Sequence, residues 1–336
     1  MLVLVCGVVA LAGAPGILLY AGGPWRAVAD DLAVAGVFWA LAGLVGVATG
    51  ALPGGFAVLV PAAGFVMTTG VADALAERVP ARGIRIALEI GFGLLVFLPL
   101  ALLVFGWGGT WLYREVGALD FGGAVPVAVG AGVFLIVFSM VVGERSAGER
   151  VLALRGAMLF AVAATGCAVG LELRVDELTP AIALHMIMTP AVAILAAAGI
   201  ERVKRGRNTR EGLAAGTLAG TAAALAACAY LETVTALMLG LVVGAVAELA
   251  RRGDSAALRF AVPLLVGGIT GLLYLGLFGL GPGFIYSGQL VLLGQQAILC
   301  AGAIGYAAIV AAFLLVPVRR RIRALPGRVR PTRRRS

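Results

Sequence analysis

Long apolar runs and short polar breaks alternate along the chain, and the length of the runs carries the first inference. A membrane-crossing helix needs about 20 mainly apolar residues. Eleven runs are near that length: 2–20, 32–52, 56–76, 84–105, 121–142, 151–171, 178–200, 212–230, 233–249, 258–280 and 290–316. The pattern predicts an all-α membrane protein with eleven transmembrane helices. It divides the chain into a transmembrane domain, 1–318, and a basic cytoplasmic tail, 319–336. The opening run has no Lys or Arg before it and continues to Tyr20, so it reads as a retained first helix rather than a cleaved signal.

The polar breaks set a direction, because Lys and Arg are retained on the cytoplasmic side of short loops. With the N-terminus outside, 24 of the 26 basic residues fall on inner segments, and only Arg114 and Arg174 fall outside. A helix missed or added would scramble that alternation. Composition agrees, with 61% hydrophobic residues, 13% charged residues and a mean hydropathy of +1.05. A net charge of +9 raises the question of nucleic acid, but the charges lie in loop breaks and one tail rather than in a patch, so the expected partner is the lipid bilayer. Lys204 is the only lysine, and Ala, Gly, Val and Leu dominate, which points to a GC-rich bacterium and to its plasma membrane. Cys6, Cys167, Cys228 and Cys300 sit inside apolar runs without CxxC spacing, so they read as small buried residues. No cluster of nucleophile, base and acid is visible, and neither an enzyme, a metal site nor a cofactor is expected.

Two patterns concern packing. Small residues recur at spacing four, at Gly212, Gly216 and Gly220, at Gly240 and Gly244, and at Gly267 and Gly271. Such faces let helix backbones approach closely in lipid. AVPVAVG at 124–130 is echoed by AVPLLVG at 261–267, five helices later, the separation of two five-helix halves in an inverted repeat.

Several segments, in order, resemble the ammonium transporter (Amt/Mep/Rh) family. They are GAPGILLYAGG from Gly13, ALAERVP from Ala74, and FLPLALLVFGWGGTWLYREVGALDFGGAVPVAVGAG from Phe97. KRGRNTREGLAAGTLAGTAAALAACAYLETVTALMLGLVVGAV from Lys204, then VGGITGLLYLGLFG and GQLVLLGQQ, continue the resemblance. It implies eleven helices built as an inverted five-plus-five repeat plus a last helix, a homotrimer, and passage of ammonium or ammonia. The family binds ammonium at an outer site and passes it along an apolar pore by two phenylalanines and two facing histidines. A cation in such a tube costs several kcal/mol, so neutral ammonia crosses while its proton is handled separately.

This chain departs from that design. The resemblance puts Ala128 and Leu264 at the two histidine positions, and Ala63 and Ala183 near the two phenylalanines, with Phe65 also close to the first. Trp107 falls at the outer-site tryptophan, as a cation-holding ring or an interfacial anchor. Asp120 precedes the fifth run, as a helix cap or a contributor to cation attraction. His185, the only histidine, is either a functional intramembrane group or a packed, hydrogen-bonded one. Pro126 and Pro263 lie just before the two replaced histidines, where a kink exposes a carbonyl to the pore or closes it. Asp73, Glu77, Arg78, Arg85 and Glu89 read as helix-end charges. The arginine tail lacks the family's tail pattern, which speaks against regulation by PII signal proteins. The expectation is a channel for ammonia or another small neutral molecule without a histidine relay; the alternative is a non-conducting sensor or structural subunit on the same scaffold.

Overall fold

A computed structural model describes residues 2–15, 25–76, 78–79, 81–108, 111–143, 153–251 and 256–324; the side chains at 25–29, 153, 256–257 and 320–324 are outside that description, as is Glu77. All regular structure among the described residues is helical. In chain order the helices are α1 (Leu2–Leu11), α2 (Trp25–Thr49), α3 (Phe56–Ala76), α4 (Arg82–Gly108), α5 (Val125–Val142) and α6 (Ala153–Leu171). They continue as α7 (Thr179–Arg205), α8 (Arg210–Ala227), α9 (Thr233–Ala250), α10 (Ala256–Phe278) and α11 (Val291–Ala324). Among the described residues nine helices are long and apolar enough to cross a bilayer. The other two of this series are α1, which is short, and α8.

The reason α8 falls short is chemical. It starts on Arg210 and Glu211 and is otherwise built from Ala, Gly, Thr and Leu, yet Gly212 and every residue of Ala214–Ala227 are buried. It packs against α6, α7, α9 and α10, so protein rather than lipid covers it. A helix sheathed this way needs small residues more than apolar ones.

The glycine spacing is used for that sheath. A Cβ on Gly216 would lie 2.9 Å from the Ala193 oxygen, and one on Gly220 2.5 Å from the Pro190 Cα. From the other side, Cβ atoms on Gly240 and Gly244 would lie 2.6 Å from the Thr189 oxygen and 2.2 Å from the Ala193 oxygen. Thus α7 is gripped between glycine faces of α8 and α9. Gly267 and Gly271 seat α10 on α8 in the same way: an added Cβ on each would run into the oxygens of Ala219 and Ala223.

The echoed segments meet across the middle of the bundle. Gly268 approaches Ala128 and the Ala124 oxygen, while Gly132 approaches Leu265 and the Ala261 oxygen. These contacts are nearly reciprocal, as two copies around a pseudo-twofold axis require. Pro126 lies in the first turn of α5, which opens as a π-helical stretch, Val125–Gly130, so its missing N–H costs little there. Pro263, by contrast, lies inside the continuous α10. A second π stretch, Gly93–Phe97, interrupts α4, and the Tyr306 hydroxyl of α11 donates to its Leu95 carbonyl at 2.7 Å.

Ion pairs tie the helices at the end opposite Asp120. Arg251 reaches Glu201 at 2.5 Å and Glu248 at 2.7 Å, with both carboxylates fully buried. Thr209, the N-cap of α8, donates its N–H and hydroxyl to Glu201 at 2.8 and 2.7 Å and accepts from Gly212 at 3.1 Å. Arg259 pairs with Glu211. Asp31 of α2 takes Arg85 at 2.8 Å and Arg82 at 3.3 Å. The last helix runs to Ala324, so the first arginines assigned to the tail continue α11; residues 325–336 lie outside the described residues.

Candidate transport path

The loop 106–123 builds one end of the path. Trp107 adopts a left-handed backbone (φ 53°) rare for a residue with a Cβ, and its N–H donates to the Ala51 carbonyl at 3.0 Å. Its side chain is 62% exposed, so in this structure it stands on the surface at the mouth rather than inside. Gly123 also takes a left-handed turn (φ 77°), and a Cβ there would strike the Phe105 ring at 2.8 Å. That turn aims Asp120 at the start of α5. The Asp120 oxygens accept from the N–H groups of Ala124 and Val125, each at 2.8 Å. The carboxyl is buried, and burial pushes its pKa up to about 7 against the opposing backbone N–H groups of Val125, Ala124 and Gly123. Both oxygens serve the helix N-terminus, which is the capping geometry.

Just past this loop, between α1, α3, α5, α6 and α8, lies a cavity of about 30 Å³. Its walls include Ala63 and Met67 of α3, Val127 of α5, Phe160 and Cys167 of α6 and Leu225 of α8, and they expose almost no polar atoms. The loop is pinned to α8 where the cavity begins. The N–H of Gly122 donates to the Leu225 carbonyl at 2.7 Å, and that of Phe121 to the Ala226 carbonyl at 3.3 Å.

Ala63 and Val127 therefore face one space, while Ala128 turns away from it toward α10. Ala128 and Leu264 are fully buried. A Cβ on Gly268 would sit 2.9 Å from that of Ala128, so helix contact fills the room an imidazole would need. Ala183 is half-buried on α7 and is not part of the cavity wall. Phe160 is part of it and packs edge-to-face on Phe260 at 6.4 Å. It is the only aromatic residue of α6, and that isolation in an Ala/Gly-rich helix was the available sequence signal.

His185 is buried away from the path. Its Nδ1 lies 2.7 Å from the Cys228 carbonyl and its Nε2 3.3 Å from the Thr233 hydroxyl. A carbonyl only accepts, so Nδ1 carries the proton and Nε2 accepts from Thr233. Both ring nitrogens are thus spent tying α7 to the α8–α9 turn. Among the described residues no group of three or more His, Cys, Asp or Glu side chains is arranged to hold a metal.

Against this geometry, the model of the Ammonium Transporter Family matches residues 25–325. The chain belongs to that family. It is similar to an ammonium transporter of Mycobacterium tuberculosis, with 26% identity over 250 residues, covering 65% of this chain and 52% of that protein. It is also similar to one of Bacillus subtilis, with 28% identity over 228 residues, covering 63% and 54%. The chain spans about half the length of these curated relatives. The fold is that of Mep2 from Saccharomyces cerevisiae (TM-score 0.81, 18% identity, 95% of this chain and 87% of that one). It is equally that of a structure described as a sensor Amt protein (TM-score 0.80, 18% identity, 95% and 92%). The family and the apolar helices make it a multi-pass membrane protein.

Proposed function

We propose that this family member is an eleven-span channel of a bacterial plasma membrane, N-terminus outside and C-terminus cytoplasmic, that passes ammonia or a neutral molecule of similar size. The observation that carries the reading is the cavity under the Asp120 loop. About 30 Å³ is the room of one small molecule, and its walls offer nothing to solvate a charge. An ammonium ion entering it would lose its hydration without replacement, whereas neutral ammonia would not. Ala128 and Leu264 stand where the resemblance puts the two imidazoles, which supports passage without a histidine relay. The curated relatives are described as ammonium transporters, which supports the same substrate class. Assembly as a homotrimer, without PII regulation, completes the proposal.

The tight Ala128–Gly268 contact favours a second reading, in which the scaffold senses or supports rather than conducts. Flux separates the two. In reconstituted vesicles challenged with ammonium salt, the first reading gives protein-dependent lumenal alkalinisation, and Ala63→Val, which fills the cavity, abolishes it in a folded protein. Flux equal to protein-free vesicles excludes the first reading.

A further inference from the structure

A second pocket, separate from the path, lies where the α4–α5 loop meets the turn before α11. It measures about 390 Å³, and its walls include Tyr113, Arg114, Gly117, Ser287, Gln289 and Gln295. Unlike the path cavity it is polar in part, and its defining group is a cation. The other arginine at this end of the bundle, Arg174, is held by Asp176 at 2.6 Å. Arg114 has no acidic partner within 4 Å among the described residues.

The rest of the pocket complements that charge. Gly117 is left-handed (φ 74°), and a Cβ there would lie 2.2 Å from the Gln295 amide nitrogen. The glycine thus lets the amide reach the pocket, where it makes no hydrogen bond among the described residues. The Tyr113 hydroxyl, on an exposed side chain, likewise has no hydrogen-bond partner among the described residues. The Ser287 hydroxyl, by contrast, is occupied in its own turn by the carbonyls of Gly283 and Gln289. A guanidinium without an acidic partner among the described residues, with the amide N–H groups of Gln295 and the phenol O–H of Tyr113 beside it, brings several donors to one space, the arrangement that holds a tetrahedral oxyanion. Exposed Trp107, Trp111 and Tyr286 ring the same end of the bundle, placing the pocket at headgroup level.

We propose that this pocket binds a phosphate group through Arg114, with Gln295 and Tyr113 as supporting donors. The inference does not depend on what the central path conducts. Two sources present that chemistry at a membrane surface, an anionic lipid headgroup and free phosphate.

The test uses the full-length protein and two arms. In one, phosphatidylglycerol is titrated into nanodiscs otherwise of phosphatidylcholine; in the other, inorganic phosphate is titrated at constant ionic strength. The readout is labelling of Arg114 by phenylglyoxal, followed by peptide mass spectrometry, which is local and needs no variant. Protection by phosphatidylglycerol assigns a lipid headgroup, and protection by phosphate assigns the free ion. In the effective arm, Gln295→Ala weakens the protection severalfold, and Arg114→Gln lowers whole-protein affinity about tenfold. Arg174→Gln, whose arginine is already paired, leaves the affinity unchanged. Unprotected Arg114 in both arms, or an affinity unmoved by Arg114→Gln, overturns the proposal.

Discussion

Asp120 carries two demands at once, a helix N-terminus that wants a negative charge and a buried setting that resists one. Its folded pKa of about 7 lies above the ordinary aspartate value of about 3.9, so the folded protein holds a proton the unfolded chain has released between those limits. Stability in detergent is therefore expected to fall as pH rises from about 4 to about 7, and to level off above. Asp120→Asn should flatten that slope in a thermal melt series, and a slope shared by both proteins would assign it elsewhere. Asp120→Ala removes the cap and is expected to cost about 1–2 kcal/mol. Ala128 poses the converse problem, because nothing is missing around it. Restoring an imidazole by Ala128→His forces α5 from α10 at Gly268 and should destabilise by about 1–3 kcal/mol without restoring a relay. A melt unchanged from the parent would show that the interior has slack there.

How far these residues could be read beforehand depended on what decides them. Asp120 is legible as a cap because a cap is a local device, set by a carboxyl four and five residues before the N–H groups it serves. Ala128 and Leu264 could be aligned, but which way each side chain turns is set by the α5–α10 contact, which no local pattern encodes. Ala183 and Phe160 show the limit most clearly. Ala183 is half-buried on α7 outside the cavity wall, while the phenylalanine in that wall belongs to α6.

At the scale of elements, the bundle is held by close backbone approach and by a few buried charges. Gly244 leaves no room for a Cβ against the Ala193 oxygen, so Gly244→Val should part α7 from α9 and lower the melting temperature by several degrees, whereas Gly199→Ala, with open space around it, should not. Arg251 neutralises two buried carboxylates, and Arg251→Gln removes the ion-pair partner of Glu248 and leaves Glu201 only Thr209 and the distant Arg205, at a cost of about 3–5 kcal/mol. Arg205, half-exposed and 3.9 Å from Glu201, is a control whose replacement should change stability by under about 1 kcal/mol. Equal melting temperatures for Arg251→Gln and Arg205→Gln would contradict this division of labour. The positions of the nine long apolar helices follow from run length, because bilayer thickness imposes it. The π stretches and the burial of α8 did not, since they answer to neighbours: Tyr306 takes up the Leu95 carbonyl, and four helices replace lipid around α8.

For the whole molecule, the family scaffold is retained, and on the proposed reading the two positions that the resemblance gives to histidines are filled by the packed, fully buried Ala128 and Leu264. The functional consequence concerns charge. A path with a small, apolar waist and no imidazoles passes a neutral species or nothing, so transport should carry no current. The most direct measurement is simultaneous recording of lumenal pH and membrane current in proteoliposomes given an ammonium pulse. The account predicts protein-dependent alkalinisation, sensitive to Ala63→Val, with no current above that of protein-free membranes. A protein-dependent inward current would show that the cation's charge crosses, and would contradict it.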